Sequence, residues 1–384
     1  MTAAPSSSPP RSPEAGLRRT LVQVPPGVQC FVGAEARRRR AIEERTLAVF
    51  EGWDYEEIIP PLFDYAEVFA DAQLAPKVYS FPGRDGSLLA LRPDFTSLLA
   101  KIAAGRLAAR PTPIRLYYSG EILRYDAPRA GRENELYQMG VEHLGGEARA
   151  ADAEVLAIAA ECLTALGAGG WTLVLGHVGV FGALVAAAGL APPQAALVRA
   201  RVEAKDRAGT REALDGAGLA EAADAIVELA ALAGDREVLD RAGRLLQFCP
   251  QALAALRELS GLIDALAGAG LATRLAVDLG QLKGLDYYTG TVFQIYAQGL
   301  GSAIGSGGRY DGLLGRFGRP MGAVGFMLGL DRVARLLERQ GRETAAEAGS
   351  AERVAGPDLG DALLRARARR AAGVRIRFGD GSSR

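Results

Sequence analysis

The stretch Glu135–Gly146, ELYQMGVEHLGG, decides how the rest of the chain is read. Side chains two apart on a strand project from the same sheet face, so Gln138, Gly140 and Glu142 share one side. A carboxamide and a carboxylate flanking a glycine make a floor with polar walls, on which a ligand would lie against the backbone. A solvent-facing polar strand with a bulge glycine reads the same way from this stretch alone.

Immediately upstream, Ile114–Tyr125 is also β-rich. The polar loop 127–134, APRAGREN, joins it to the first stretch as an antiparallel pair. Arg124 ends that strand beside Arg129 and Arg132, guanidinium forks suited to a carboxylate or phosphate, although surface ion pairs account for them equally. Before it, Val78–Phe81 and Ser87–Leu91 flank the turn PGRDG. There Asp85-Gly86 is expected to supply positive backbone angles. In LRPDFTS, Asp94 and Thr96 would hold an ammonium group, or Asp94 would simply cap a helix running to about Leu107. Glu35–Phe50 reads as an amphipathic helix stopped by Gly52, and Tyr55–Pro60 as a strand.

Downstream come a helix, Ala150–Leu166, a strand, Trp171–Gly176, and a long segment from Val178 to about Gly268 with helical periodicity throughout. Strand character returns at Arg274–Leu279 and Thr291–Ala297. Ahead of the second of these, LKGLDYYTGTVF places Lys283, Tyr287 and Tyr288 in a glycine-bounded turn, where phenols would bond a ligand or pack at a rim. GSGGRYDGLLGRFG has neither the GKS/T nor the GxGxxG spacing of a phosphate loop. Gly322–Met327 leads into a helix from Leu330 to about Gln340 with Arg332 in its first turn. A charged linker, an arginine-rich helix near Asp361–Ala371 and a short strand at Val374–Phe378 follow.

The bulk composition excludes several classes. Of 384 residues 49% are hydrophobic and 23% charged, as in a globular protein, and 45 basic residues balance 45 acidic ones. No global field therefore draws the chain to nucleic acid or an anionic membrane. Cys30, Cys162 and Cys249 are scattered and lack zinc-ligand spacing, so no metal site is expected. With two histidines, His143 and His177, and no Ser/His/Asp set, a histidine general base is not expected. The N-terminus, MTAAPSSSPPRSPEAG, has no apolar core of a signal peptide, and no run reaches the roughly 20 apolar residues of a membrane span. A soluble, cytoplasmic protein is expected.

These pieces predict an α+β fold, an antiparallel sheet flanked by helices with an inserted helical unit. The expected division is a tail over 1–20, a sheet domain over 21–177 resumed at 270–340, a helical insertion over 178–269, and a linker with a short remnant over 341–384.

Taken in order, the segments resemble the catalytic domain of class II aminoacyl-tRNA synthetases, and specifically of histidyl-tRNA synthetase. PPLFDYAEVF is similar to motif 1, LYYSGEILRYDAPRAGRENELYQMGVEHLGG to motif 2 and AVGFMLGLDRVARLLE to motif 3. LKGLDYYTGTVF and GSGGRYDGLL resemble two histidine-recognition segments of that family. The resemblance spans roughly Gly33 to Gln340. It implies a site for free L-histidine in which Asp94, Thr96 and Gln138 hold the amino-acid backbone and Arg124 lies near the carboxylate. Glu142, Tyr287 and Tyr288 would read the imidazole, with Lys283 beside them. Arg124, Asp126 and Arg332 would be vestigial nucleotide contacts.

Three departures separate the chain from a working synthetase. After Gln340 only a short tail stands where the anticodon-binding domain is expected, and Lys283 stands where the family has an arginine, exchanging a planar fork for a point charge. The insertion from Ala191 to Ser260 carries more acidic than basic residues, a poor RNA platform. This pattern resembles the regulatory subunits of ATP phosphoribosyltransferase, a paralogous family. It implies a non-catalytic subunit that senses histidine without a cofactor, partners a short-form catalytic subunit and dimerises through the Pro60–Phe69 region. A histidine-activating enzyme, either a truncated synthetase or a related ligase, is the alternative, and a structural dimer with an empty pocket is a third reading.

Overall fold

The computed structural model describes residues 22–71, 74–125, 133–214, 220–282, 287–342 and 351–379. Helix α1 (Gly33–Gly52) buries Ile42, Val49 and Phe50 and leads through a tight turn into β1 (Glu56–Glu57). Strands β2 (Phe63–Tyr65), β3 (Ser80–Pro82) and β4 (Leu88–Leu91) form a small separate sheet. Helix α2 (Thr96–Ala104) follows, then the long hairpin strands β5 (Ile114–Leu123) and β6 (Glu135–Leu144). Helix α3 (Ala148–Ala165), begun by the Glu147 carboxylate accepting from the Arg149 and Ala150 amides, leads to β7 (Trp171–His177).

The alanine-rich segment folds into α4 (Val178–Ala187), α5 (Pro192–Glu203), α6 (Arg207–Leu214), α7 (Ala220–Ala230), α8 (Glu237–Leu245) and α9 (Pro250–Leu266). It also contains β8 (Ala233–Gly234), a two-residue strand that its helical periodicity did not announce. Next come β9 (Leu275–Asp278), β10 (Thr291–Ala297), β11 (Gly305–Arg309), β12 (Ala323–Gly329) and α10 (Leu330–Arg339). The C-terminal part is a small unit in which β13 (Glu352–Val354) and β14 (Ile376–Phe378) pair in parallel around α11 (Leu359–Ala371).

Nine strands make the main sheet in the order β1-β5-β6-β12-β11-β10-β7-β9-β8. The centre, from β5 to β7, is antiparallel, and only β1 with β5 and β7 with β9 run parallel. Each face covers its own apolar cluster. On one side Met139, Val141, Phe293 and Phe326 pack beneath α1, α3, α9 and α10, and Val180, Leu184, Val198 and Ile226 of the helical segment extend this same cluster. On the other side Phe95, Leu98 and Leu99 of the α2 region meet Leu116, Tyr118, Ile122 and Tyr310. The site lies in this second layer.

Two local expectations are corrected. In the β3–β4 turn only Gly86 takes a positive φ, +86°. Asp85 instead accepts from the Ser87 amide and hydroxyl, so a side chain and a single glycine close the turn. GSGGR, for which no strand was expected, is strand β11, because its glycines let two neighbouring strands approach where a Cβ would strike backbone oxygens at 2.3–2.7 Å. The tail 1–20, the loop residues Asp126, Arg129 and Arg132, and Lys283 lie outside the described residues. Among the described residues no helix is long and apolar enough to cross a membrane, and no group of three His, Cys, Asp or Glu is placed to hold a metal ion.

Candidate functional site

A cavity of about 240 Å³ lies against the central strands, at the small end of ligand sites, which run to roughly 300–1,000 Å³ for drug-sized molecules. Its floor follows from register. Tyr118, Met327, Ser306 and Gln294 line it from one row across the sheet, which also passes through Gly140, and Glu142 and Gly325 line it from the next, which continues to Gly308. Its walls are Asp94 and Thr96 at the start of α2, Arg124 beyond the end of β5, Tyr287 and Tyr288 before β10, and Tyr310 after β11.

Glu142 is the centre of the site. It is fully buried, the Thr96 hydroxyl donates to its Oε1 at 2.8 Å, and the Tyr310 hydroxyl donates to Oε2. A Cβ on Gly325 would fall 1.7 Å from Oε2, so the glycine is what lets the carboxylate lie across β12. Burial pushes the carboxyl up to about 7, and the nearby Asp94 charge adds to this, while the two hydroxyl bonds pull in the opposite direction. No cation pairs with it among the described residues. A buried carboxylate spared a cation is ready to accept from an N–H that a ligand brings.

Gly140 plays a different part from the one its position suggested. A Cβ there would meet the Tyr118 hydroxyl at 2.5 Å and the Phe326 carbonyl at 2.4 Å, so the gap is filled by Tyr118 rather than left for a ligand. Tyr118 in turn stacks on Phe95, with ring centroids 4.1 Å apart. Gln138 is buried, lines the cavity and has no side-chain partner among the described residues.

Asp94 accepts from the Ser97 amide at 2.7 Å and the Ser97 hydroxyl at 3.2 Å, closing the first turn of α2 while it also lines the cavity. Burial raises its pKa, against the pull of Arg124. Arg124 donates Nε–H to the Pro93 carbonyl at 2.7 Å, which leaves its two terminal nitrogens to the cavity. Tyr287 packs edge-on against Tyr288 (5.1 Å) and Tyr310 (5.6 Å), and Tyr288 lies over Gly308.

Asp94, Thr96, Arg124, Gln138, Glu142, Tyr287 and Tyr288 thus come together around one cavity. Arg332 does not line it. It donates to the Ala303 carbonyl at 2.5 Å, and burial and the neighbouring Arg124 charge lower its pKa. Lys283 and Asp126 are outside the described residues. Sequence reasoning missed Lys77, Tyr118, Gln294, Ser306 and Tyr310, all lining residues. Tyr118 and Ser306 were recoverable from alternation once β5 and β11 are strands, whereas Lys77 and Tyr310 sit at irregular positions that no period marks.

Both histidines are elsewhere. His177 accepts from the Gly179 amide at 3.1 Å and so begins α4. His143 projects from the opposite face of β6 with its Nε2 3.9 Å from Glu154.

A sequence profile of the histidyl-tRNA synthetase family matches residues 27–333. The chain is 39% identical to the ATP phosphoribosyltransferase regulatory subunit of Moorella thermoacetica, over 94% of this chain and 93% of that one. It is 40% identical to the subunit of the same name from Desulforamulus reducens, over 82% and 79% of the two chains. Among solved structures it is similar to an ATP phosphoribosyltransferase regulatory subunit/histidyl-tRNA synthetase from Bacillus halodurans C. There the TM-score is 0.83 and the identity 27%, covering 95% of this chain and 94% of that one.

Proposed function

The chain belongs to the family of ATP phosphoribosyltransferase regulatory subunits, within the histidyl-tRNA synthetase family, and from that premise we propose that its pocket senses free L-histidine. The observation that carries the reading is Glu142, buried and held by two hydroxyls in a cavity that Arg124 also lines. An imidazole N–H donates to the carboxylate, while Thr96, Gln138 and Asp94 face the amino-acid backbone and Tyr287 and Tyr288 close over the ring. An apolar isostere would strand the buried carboxylate, and such losses reach about 10⁴ in discrimination.

The proposed partner is the short-form catalytic subunit of ATP phosphoribosyltransferase, to which this chain passes histidine feedback in the first step of histidine biosynthesis. A coupling of roughly 1–3 kcal/mol, or 5- to 150-fold, suffices for such control. The chain is proposed to have no aminoacylation activity of its own, a reading supported by Lys283 in place of a phosphate-orienting arginine. Calorimetry of the purified chain with L-histidine tests the site; micromolar binding, roughly −8 kcal/mol, is expected. Co-purification with a short-form phosphoribosyltransferase, and rate enhancement that histidine removes, tests the role.

One observation favours a second reading, a histidine-activating enzyme: Arg332 is close enough to Arg124 for their charges to interact, as two contacts on one nucleotide would be. Histidine-dependent pyrophosphate exchange by the pure chain would establish it. A homodimer is also proposed, since Ile59, Leu62, Phe63 and Tyr65 are exposed together around β2, and Phe63 packs edge-on against Phe81 at 5.8 Å. Phe63→Asp is expected to give a monomer in analytical ultracentrifugation.

A further inference from the structure

We propose that Lys77 is the second arm of a carboxylate clamp, and that it makes the pocket select an amino acid over the corresponding alcohol or amine. The inference deepens the site proposed above and rests on its being an amino-acid pocket. Among the described residues the cavity is lined by two cations, Lys77 and Arg124, and by two carboxyl groups, Asp94 and Glu142. This is the complement of a zwitterion carrying one further N–H donor.

Neither cation has spent its charge. The Lys77 ammonium has no hydrogen-bond or ion-pair partner among the described residues, although the residue is half-buried, and the terminal nitrogens of Arg124 are likewise without one. A half-buried ammonium with no anion beside it is stabilised by whatever anion enters.

The position of Lys77 is built. Its amide donates to the Leu74 carbonyl at 2.8 Å within a 3₁₀ turn, Ala75–Lys77, and its carbonyl accepts from the Tyr125 amide at 2.7 Å. The second bond fixes Lys77 against the residue that follows Arg124. Tyr79 and Tyr125 pack edge-on at 6.0 Å just beyond, and the Leu91 amide binds the Tyr79 carbonyl at 2.9 Å. The segment carrying Lys77 is therefore fastened to the strand end carrying Arg124. The two side chains enter the same cavity from adjoining backbones, Arg124 as a fork and Lys77 as a point charge that follows the ligand's carboxylate.

The test is calorimetry of the full chain and of Lys77→Met and Lys77→Arg with L-histidine and with L-histidinol, in which a hydroxymethyl group replaces the carboxylate. The remaining amino acids are run on the wild type, and any that binds is run on Lys77→Met as well. Expected are a roughly 10- to 100-fold loss of L-histidine affinity in Lys77→Met, the range of a hydrogen bond to a charged group, and recovery of most of it in Lys77→Arg. L-Histidinol should bind the wild type weakly and Lys77→Met equally weakly. Unchanged L-histidine affinity in Lys77→Met overturns the clamp and leaves the histidine site standing, as does an equal loss for both ligands, which marks Lys77 as merely structural. Should another amino acid bind in place of histidine and lose affinity in Lys77→Met, the clamp stands and the histidine assignment falls. Failure of every amino acid to bind the wild type overturns both.

Discussion

Strand β6 carries a buried titratable group on each face in consecutive positions, and the two are provided for in opposite ways. Glu142, on the pocket face, receives two neutral hydroxyls from different elements and, among the described residues, no cation, and its pKa is raised to about 7. His143, on the helical face, sits near Glu154, whose carboxylate is taken by both arms of Arg115 (2.8 and 2.9 Å) and the Tyr55 hydroxyl (2.9 Å). Burial works against the Glu154 charge, yet the Arg115 bonds lower its pKa, while burial lowers the pKa of His143, whose Nδ1 has no hydrogen-bond partner among the described residues. A carboxylate fully engaged within the protein holds the fold together, whereas one supplied with hydroxyls alone is costly to ionise until a ligand arrives.

The contrast is sharpest at Glu142. Burial favours its neutral acid, so the folded chain keeps a proton that the unfolded chain releases. Unliganded stability should therefore fall as pH rises from the ordinary glutamate value of 4.5 to about 7, by roughly 3 kcal/mol. Glu142→Gln should abolish this slope, stabilise the empty protein at pH 8 by a similar amount, and weaken L-histidine about 100-fold or more. Urea titrations at two pH values, with calorimetry, read all three, and a flat wild-type profile would break the comparison. For neutral imidazole, affinity should climb between about pH 6 and 8 as Glu142 ionises and then level off. A maximum near pH 7 with a fall above it would instead mean that imidazolium is bound.

On the opposite face, Glu154→Gln is expected to cost roughly 2 kcal/mol, because it leaves the half-buried Arg115 without its charge partner. Its ligand affinity should stay within twofold of wild type. A drop as large as that of Glu142→Gln would dissolve the distinction between the faces. The smallest effect is expected for Tyr310→Phe, which removes one hydroxyl donor at a cost near 1 kcal/mol, or roughly fivefold in affinity. Because that bond lowers the Glu142 pKa, the pH at which binding begins should move upward in the variant.

The local and periodic features were legible in the sequence. Alternation placed β6 at Glu135–Leu144 and β10 at Thr291–Ala297, with the boundaries the structure has, and the side-chain period put Gln138 and Glu142 on one face. Gly105 stopped α2 three residues before the expected Leu107, a shift within the reach of a single glycine. β11 was not legible, because a GSGG run has no side-chain period; only the strands on either side make it a strand.

Residue types alone determined that this chain has an antiparallel α+β core, a carboxylate and a carboxamide on one strand face, and paired tyrosines ahead of another strand. Those are consequences of period and propensity, which act within a few residues. What only the tertiary structure decided is how those groups are surrounded: that Tyr310 and Thr96 bond Glu142, that Gly325 makes space for its carboxylate, that Gly140 makes space for Tyr118, and that Lys77 lines the same cavity as Arg124. Each pairing joins residues more than 20 positions apart, or rests on cross-strand register. Contacts of that kind are set by how layers pack and strands align, and no local pattern records them.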